Sequence, residues 1–141
     1  MTDLTNDLGV GLQGHSDIVV APEHLASRWK SGGVDVLSTP QLVGLMELAA
    51  LSAVDHLLPA GWLTVGTRVD IEHLAATSLG QAVTAQATLT AVDGRRLSFE
   101  VIASDGAGVI GRGSHQRYIV QRDRFLASAA SRAKDTAAPS A

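Results

Sequence analysis

The chain contains no cysteine. That excludes disulfides and thiolate metal sites, and it fits a reducing compartment. Aromatic residues supply only 4% of the sequence, so its core must be built from Val, Leu, Ile and Ala. No apolar run is long enough to span a bilayer, because the most hydrophobic stretch is interrupted by polar residues on one side. The N-terminus carries Asp3 and Asp7 and lacks the apolar segment of a secretory signal, so the expected location is cytoplasmic. A basic excess is missing too: the formal net charge is −3, which gives no electrostatic reason to expect nucleic acid or an anionic membrane as partner. His15, His24 and His56 show no ligand spacing with one another or with nearby carboxylates, so no metal site is expected. Gly111-x-Gly113 is too short for a nucleotide-binding loop.

What is present fits one globular domain. A chain of 141 residues has room for one core and not two. Residues 1–14 read as a polar, flexible lead, 15–126 as the folded domain, and the Ala/Ser-rich stretch 127–141 as a disordered tail. Within the domain, a short strand around Ile18-Val19-Val20 precedes a possible helical turn over 23–29 and the break Ser31-Gly32-Gly33. A long helix then starts at Thr39-Pro40, with Ser38 or Thr39 as its cap, and is ended by Pro59-Ala60-Gly61.

The period next changes from 3.6 to 2. Over 63–75, Val65, Thr67, Val69, Ile71, His73 and Ala75 are expected on one face, with Gly66, Arg68, Asp70 and Glu72 on the other. Strands over 81–92, 96–104 and 109–121 follow. They are joined by Asp93-Gly94 and by Asp105-Gly106-Ala107-Gly108, so they form an antiparallel meander. One nearly all-apolar helix followed by long antiparallel strands predicts an α+β hotdog fold, in which a strongly curved sheet wraps the helix. Open sheet edges then predict dimerisation into a larger sheet.

One residue disturbs the helix. Leu42, Val43, Met46, Ala49, Ala50, Ala53, Val54, Leu57 and Leu58 share a half-circle, and Glu47 falls inside it between Val54 and Leu58. Burying a lone carboxylate costs several kcal/mol, so the position needs either a partner or a chemical task. Arg68, Arg95, Arg96 and Arg117 are the available partners. On the following strand, His73 is the only ionisable side chain of the apolar face. Two ionisable groups facing one interior from adjacent elements point to a reactive site more than either does alone. His115 and Arg117 read as partly exposed strand residues.

Four stretches resemble the hotdog-fold thioesterases, and most closely the fluoroacetyl-CoA thioesterase-like family. They are Val43-Gly44-Leu45-Met46-Glu47, Gly66-Thr67 with His73, Asp93-Gly94-Arg95-Arg96-Leu97-Ser98, and Ile110-Gly111-Arg112-Gly113-Ser114-His115. The resemblance implies hydrolysis of an acyl-CoA with no cofactor beyond the coenzyme A of the substrate, in a homodimer or a dimer of dimers. It also implies a catalytic set of Thr39, Glu47 and His73, with Gly66 near the acyl group. Fluoroacetyl-specific members resemble one another in carrying phenylalanines before the helix. Here that segment holds only Trp29, which predicts a general short or medium acyl group.

The expected chemistry uses Glu47 as base or nucleophile, His73 to orient water or hold Thr39, and free N–H groups around Pro40 to Val43 for the oxyanion. Eight helical residues separate Thr39 from Glu47 by ~12 Å. Direct contact is therefore excluded on a straight helix, and a site completed across a dimer interface is expected. The competing readings are a non-catalytic hotdog dimer that binds acyl-CoA or another apolar ligand, with Glu47 and His73 merely paired in the core, and, more weakly, a hotdog dehydratase.

Overall fold

A computed structural model describes residues 3–28 and 33–136. The elements run β1 (Gln13–Val19), α1 (Thr39–Val54), β2 (Trp62–His73), β3 (Ala82–Asp93), β4 (Arg96–Asp105), β5 (Gly108–Gln121) and α2 (Arg122–Lys134). The five strands form one antiparallel sheet in the order β1-β3-β4-β5-β2. This is the hotdog fold: α1 packs along the concave side, touching β1, β2, β3 and β4.

The meander follows from its turns. Asp93 pairs with Arg96 across Gly94-Arg95, and Gly94 adopts φ +60°, a conformation that a side chain disfavours. Val83, Ala85, Ala87 and Leu89 of β3 and Leu97, Phe99, Val101 and Ala103 of β4 are all buried under α1, as alternation requires. On the helix, Leu42, Leu45, Met46, Ala49, Ala50, Ala53 and Val54 complete the core. Each fully buried Leu or Val side chain contributes roughly 1.5–3 kcal/mol.

Ser38 caps α1, its side chain accepting from the Gln41 N–H, and Pro40 occupies the first turn. The helix gives way at Val54 to a 3₁₀ turn over Asp55–Leu57, before the Pro59 stop. The segment between β1 and α1 forms two 3₁₀ turns, Pro22–His24 and Ala26–Arg28, rather than one helical turn. Trp29 and Ser31-Gly32 of the expected break lie outside the described residues.

Three features differ from the expectations. First, β2 carries a bulge between Gly66 and Arg68. The extra residue, Thr67, resets the alternation, so Thr64 and Gly66 face inward before it, and Val69, Ile71 and His73 after it. Second, the N-terminal segment is packed. Leu8 is buried, Leu4 and Leu12 lie against the core, and Gly11 and Leu12 exchange backbone hydrogen bonds with Leu89. Third, α2 runs through Ala127, where composition predicts disorder. The Gln121 side chain caps it by accepting from the Arg124 N–H, its Ala content favours helix, and none of its residues is buried.

Candidate active site

The site is built on the face that α1 and β2 turn toward each other. At the start of α1, Thr39 Oγ1 lies 2.8 Å from His73 Nδ1 at the end of β2. His73 Nε2 is buried and has no hydrogen-bond partner among the described residues. Burial holds the imidazole below its ordinary pKa, offset in part by the nearby Ala75 backbone, so the ring is neutral at pH 7. The two side chains open into a cleft of about 360 Å³ lined also by Val36, Leu37, Pro40 and Leu74.

Two turns further along α1, Glu47 faces Gly66. A Cβ on Gly66 would overlap Glu47 Oε2, so glycine is what lets the carboxylate sit against β2. Glu47 Oε2 receives Arg117 Nη1 at 3.5 Å. The Arg117 side chain is only 6% exposed, whereas Glu47 is 39% exposed. Arg117 is thus the partner that a carboxylate on this face requires, and the carboxylate reaches a second cleft of about 410 Å³ lined by Ile18, Gln41, Gly44, Leu45, Leu48 and Leu51. Glu47 and His73 make no pair with each other.

Around Arg117 lies a buried polar network. Its Nε donates to Thr64 Oγ1 at 2.8 Å and its Nη2 to the Thr64 carbonyl at 2.9 Å. Its Nη1 lies 3.2 Å from His115 Nε2. His115 Nδ1 lies 2.8 Å from the Arg68 carbonyl, so it is the protonated nitrogen of that ring and donates there. Nε2 then accepts from Arg117. Burial is the main cause that keeps His115 below its ordinary pKa, and the adjacent guanidinium adds to it.

The structure thereby corrects the reading of His115 and Arg117 as partly exposed: both are buried, at 1% and 5%. It also corrects the proposed oxyanion donors. The Gln41 N–H is bound by Ser38 Oγ at 3.3 Å and the Leu42 N–H by the Ser38 carbonyl at 3.1 Å. Only Thr39 N–H is left at the helix start without a partner among the described residues. Thr39 and His73 line one cleft, while Glu47, whose carboxylate lies against Gly66, lines another. No cluster of three or more His, Asp or Glu suited to a metal occurs among the described residues. No helix there is long and apolar enough to cross a membrane.

Residues 20–123 match the family of the fluoroacetyl-CoA-specific thioesterase FlK. This chain belongs to that family. It is 42% identical over 93 residues to the fluoroacetyl-CoA thioesterase of Streptantibioticus cattleyicolor, covering 66% of this chain and 67% of that protein. The solved structure of the fluoroacetyl-CoA thioesterase FlK superposes with a TM-score of 0.83 at 34% identity, over 92% of this chain and 98% of that one. A mutant FlK in complex with fluoroacetate and CoA superposes at 0.79 and 35% identity, over 84% and 99%.

Proposed function

We propose that Thr39, Glu47, His73 and Gly66 form the hydrolytic site of an acyl-CoA thioesterase, assembled where two copies of the chain meet. The thioesterase activity follows from membership of the family. The observation that carries the site is the pairing of two half-sites on α1 and β2: Thr39 on His73 at 2.8 Å, and Glu47 against Gly66. β2 is an edge strand with no partner on its outer side among the described residues. The proposed dimer pairs two β2 edges antiparallel with its axis midway between Gly66 and His73, a register chosen because it brings His73 of one protomer to the partner's Gly66. Each Thr39–His73 pair then faces the Glu47 that the other copy supplies, which removes the ~12 Å obstacle within one helix.

In such a site Glu47 takes a proton from water as the water oxygen attacks the thioester carbonyl, or its own carboxylate oxygen attacks. The oxyanion is met by Thr39, through its free N–H or its hydroxyl. Collapse breaks the C–S bond and the thiolate of coenzyme A leaves, taking up a proton. Attack by water gives the free acid directly, whereas attack by Glu47 leaves a mixed anhydride that water then hydrolyses to the acid and the restored carboxylate. The second cleft, floored by Gly44 and walled by Leu45, Leu48 and Leu51, suits a short or medium acyl group. A cytoplasmic, cysteine-free enzyme acting on free acyl-CoA is the setting this reading favours.

The test is turnover of a panel of acyl-CoAs, followed by release of free thiol. Glu47→Gln should lose at least about 100-fold in kcat while the dimer stays folded. A Glu47→Gln protein that turns over normally removes Glu47 from the site. A wild-type chain that binds acyl-CoA without releasing thiol favours the ligand-binding reading instead.

A further inference from the structure

Asp55 occupies a position that helix physics disfavours. It stands at the C-terminal end of α1, where the partial charge of the helix is negative and an added carboxylate is repelled. Lys or Arg would suit the place better. The structure shows what the carboxylate does there. Asp55 Oδ2 accepts from the Thr64 N–H at 3.2 Å, and Asp55 Oδ1 accepts from the Thr64 hydroxyl. With its hydrogen committed to Asp55, Thr64 Oγ1 presents only lone pairs to Arg117 Nε. The Thr64 carbonyl takes Nη2 of the same guanidinium. One edge of Arg117 is thus gripped by a single residue that Asp55 orients. Thr64 is 3% exposed, so the grip is dry.

We propose that Asp55 and Thr64 form a clamp that aims the Arg117 guanidinium and balances its charge, so that Glu47 is held only loosely and stays free to act on the thioester. This rests on the catalytic reading of Glu47 given above. The charged and titratable groups facing Arg117 are Glu47 from α1, Asp55 from the turn that follows it, and the neutral His115 from β5; β2 contributes Thr64. Two carboxylates therefore share one buried cation. Direct pairing to Glu47 is long, at 3.5 Å, against 2.8 and 2.9 Å for the bonds to Thr64. Without the Asp55 charge, Glu47 becomes the only counter-ion of Arg117, and a carboxylate drawn tightly onto a guanidinium is a poorer base and nucleophile. Asp55 and Thr64 act through Arg117 and are positioning residues, touching no reacting atom.

The full-length chain is assayed with acetyl-CoA and a longer acyl-CoA, using Asp55→Asn, Thr64→Val, Thr64→Ser and Glu47→Gln. Asp55→Asn removes the charge and keeps one of the two oxygens that accept from Thr64. It should fold as the wild type, lose about tenfold in kcat with KM little changed, and move the acidic limb of its pH–rate profile to lower pH. Thr64→Val should lose about 10- to 100-fold, and Thr64→Ser, which restores the hydroxyl, should recover most of it. An Asp55→Asn protein with wild-type kcat and an unmoved pH profile overturns the clamp while an inert Glu47→Gln keeps the catalytic reading. Thr64→Ser as impaired as Thr64→Val overturns it as well, since the methyl and not the hydroxyl would then matter. A fully active Glu47→Gln overturns both.

Discussion

Thr39 Oγ1 and His73 Nδ1 stand 2.8 Å apart, joining the first turn of α1 to the last residue of β2. A neutral imidazole at that distance is able to accept the hydroxyl proton at Nδ1, while its buried Nε2 has no hydrogen-bond partner among the described residues. Thr39→Ser should therefore keep most of the turnover, whereas Thr39→Ala and His73→Ala should each lower kcat by about 10²- to 10⁴-fold. Because the two act as one unit, the double variant should lose little more than the worse single one. Thiol-release kinetics on the four proteins check this, and additive losses would separate the pair.

The same histidine makes the fold acid-sensitive. His73 and His115 are both held below their ordinary value of 6.5, chiefly by burial. On acidification the unfolded chain binds protons on these rings first, so stability falls as pH drops through the ordinary imidazole range, and neither group contributes above it. Asp105 is held low by Thr77 and the turn N–H groups, so the stability it adds is present above 3.8 and is lost only as the pH falls below that value. Melting curves should show Tm constant above neutrality and declining from about pH 6.5. His73→Asn should flatten part of that decline. A Tm that stays level until carboxylates protonate would contradict it.

Much of this arrangement is legible in the sequence, and the parts that are not have definite physical reasons. The turn chemistry of Gly94 and the alternation of Val83–Leu89 and Leu97–Ala103 give β3, β4 and their inward faces. Glu47 stands out because a carboxylate among Leu42, Met46, Ala50 and Val54 has a cost. The phase of β2 is lost at Thr67, because a bulge adds one residue without any compositional mark. It is this bulge that lets Gly66 and His73 share a face, against simple alternation. On β5 the inward positions Gly111, Gly113, His115 and Arg117 carry no apolar signal until Ile119, so two buried polar residues read as surface. The signal that was available is charge balance: a carboxylate on an apolar face needs a cation, and Arg117 sits two residues from the buried Ile119. The tail misleads in the other direction, since Ala and Ser serve an exposed helix as readily as a disordered segment once Gln121 caps it.

Gly14 is where β1 crosses α1. A Cβ there would overlap the Ala49 carbonyl and Ser52 Oγ and come within 2.5 Å of the Ala53 nitrogen. Two of these are helix backbone, which has nowhere to move. Ser16 Oγ donates to the Leu45 carbonyl at 2.6 Å and fixes the same approach. Gly14→Ala should cost about 1–3 kcal/mol or more, seen as a lower midpoint in urea with little change in slope. The fraction that remains folded should turn over normally, because Thr39, Glu47, His73 and Gly66 make none of these contacts.

Gly66→Ala should behave in the opposite way. The added carbon would overlap Glu47 Oε2 and lie 3.3 Å from His115 Cε1 and 3.4 Å from Arg117 Nη1. Glu47 is the far end of a flexible side chain that is 39% exposed, so it can swing into its cleft and relieve the overlap. Stability should change by no more than about 1 kcal/mol. The carboxylate, however, would be displaced by about 1 Å from its place against β2, a shift that on the proposed role of Glu47 costs about 100-fold in rate. The expected outcome is therefore a protein with a normal unfolding midpoint, near-normal KM and a kcat about two orders of magnitude lower. Equal loss of stability in Gly14→Ala and Gly66→Ala would mean that Gly66 is there for packing alone. Undiminished kcat would show that the place of Glu47 against β2 has no bearing on turnover.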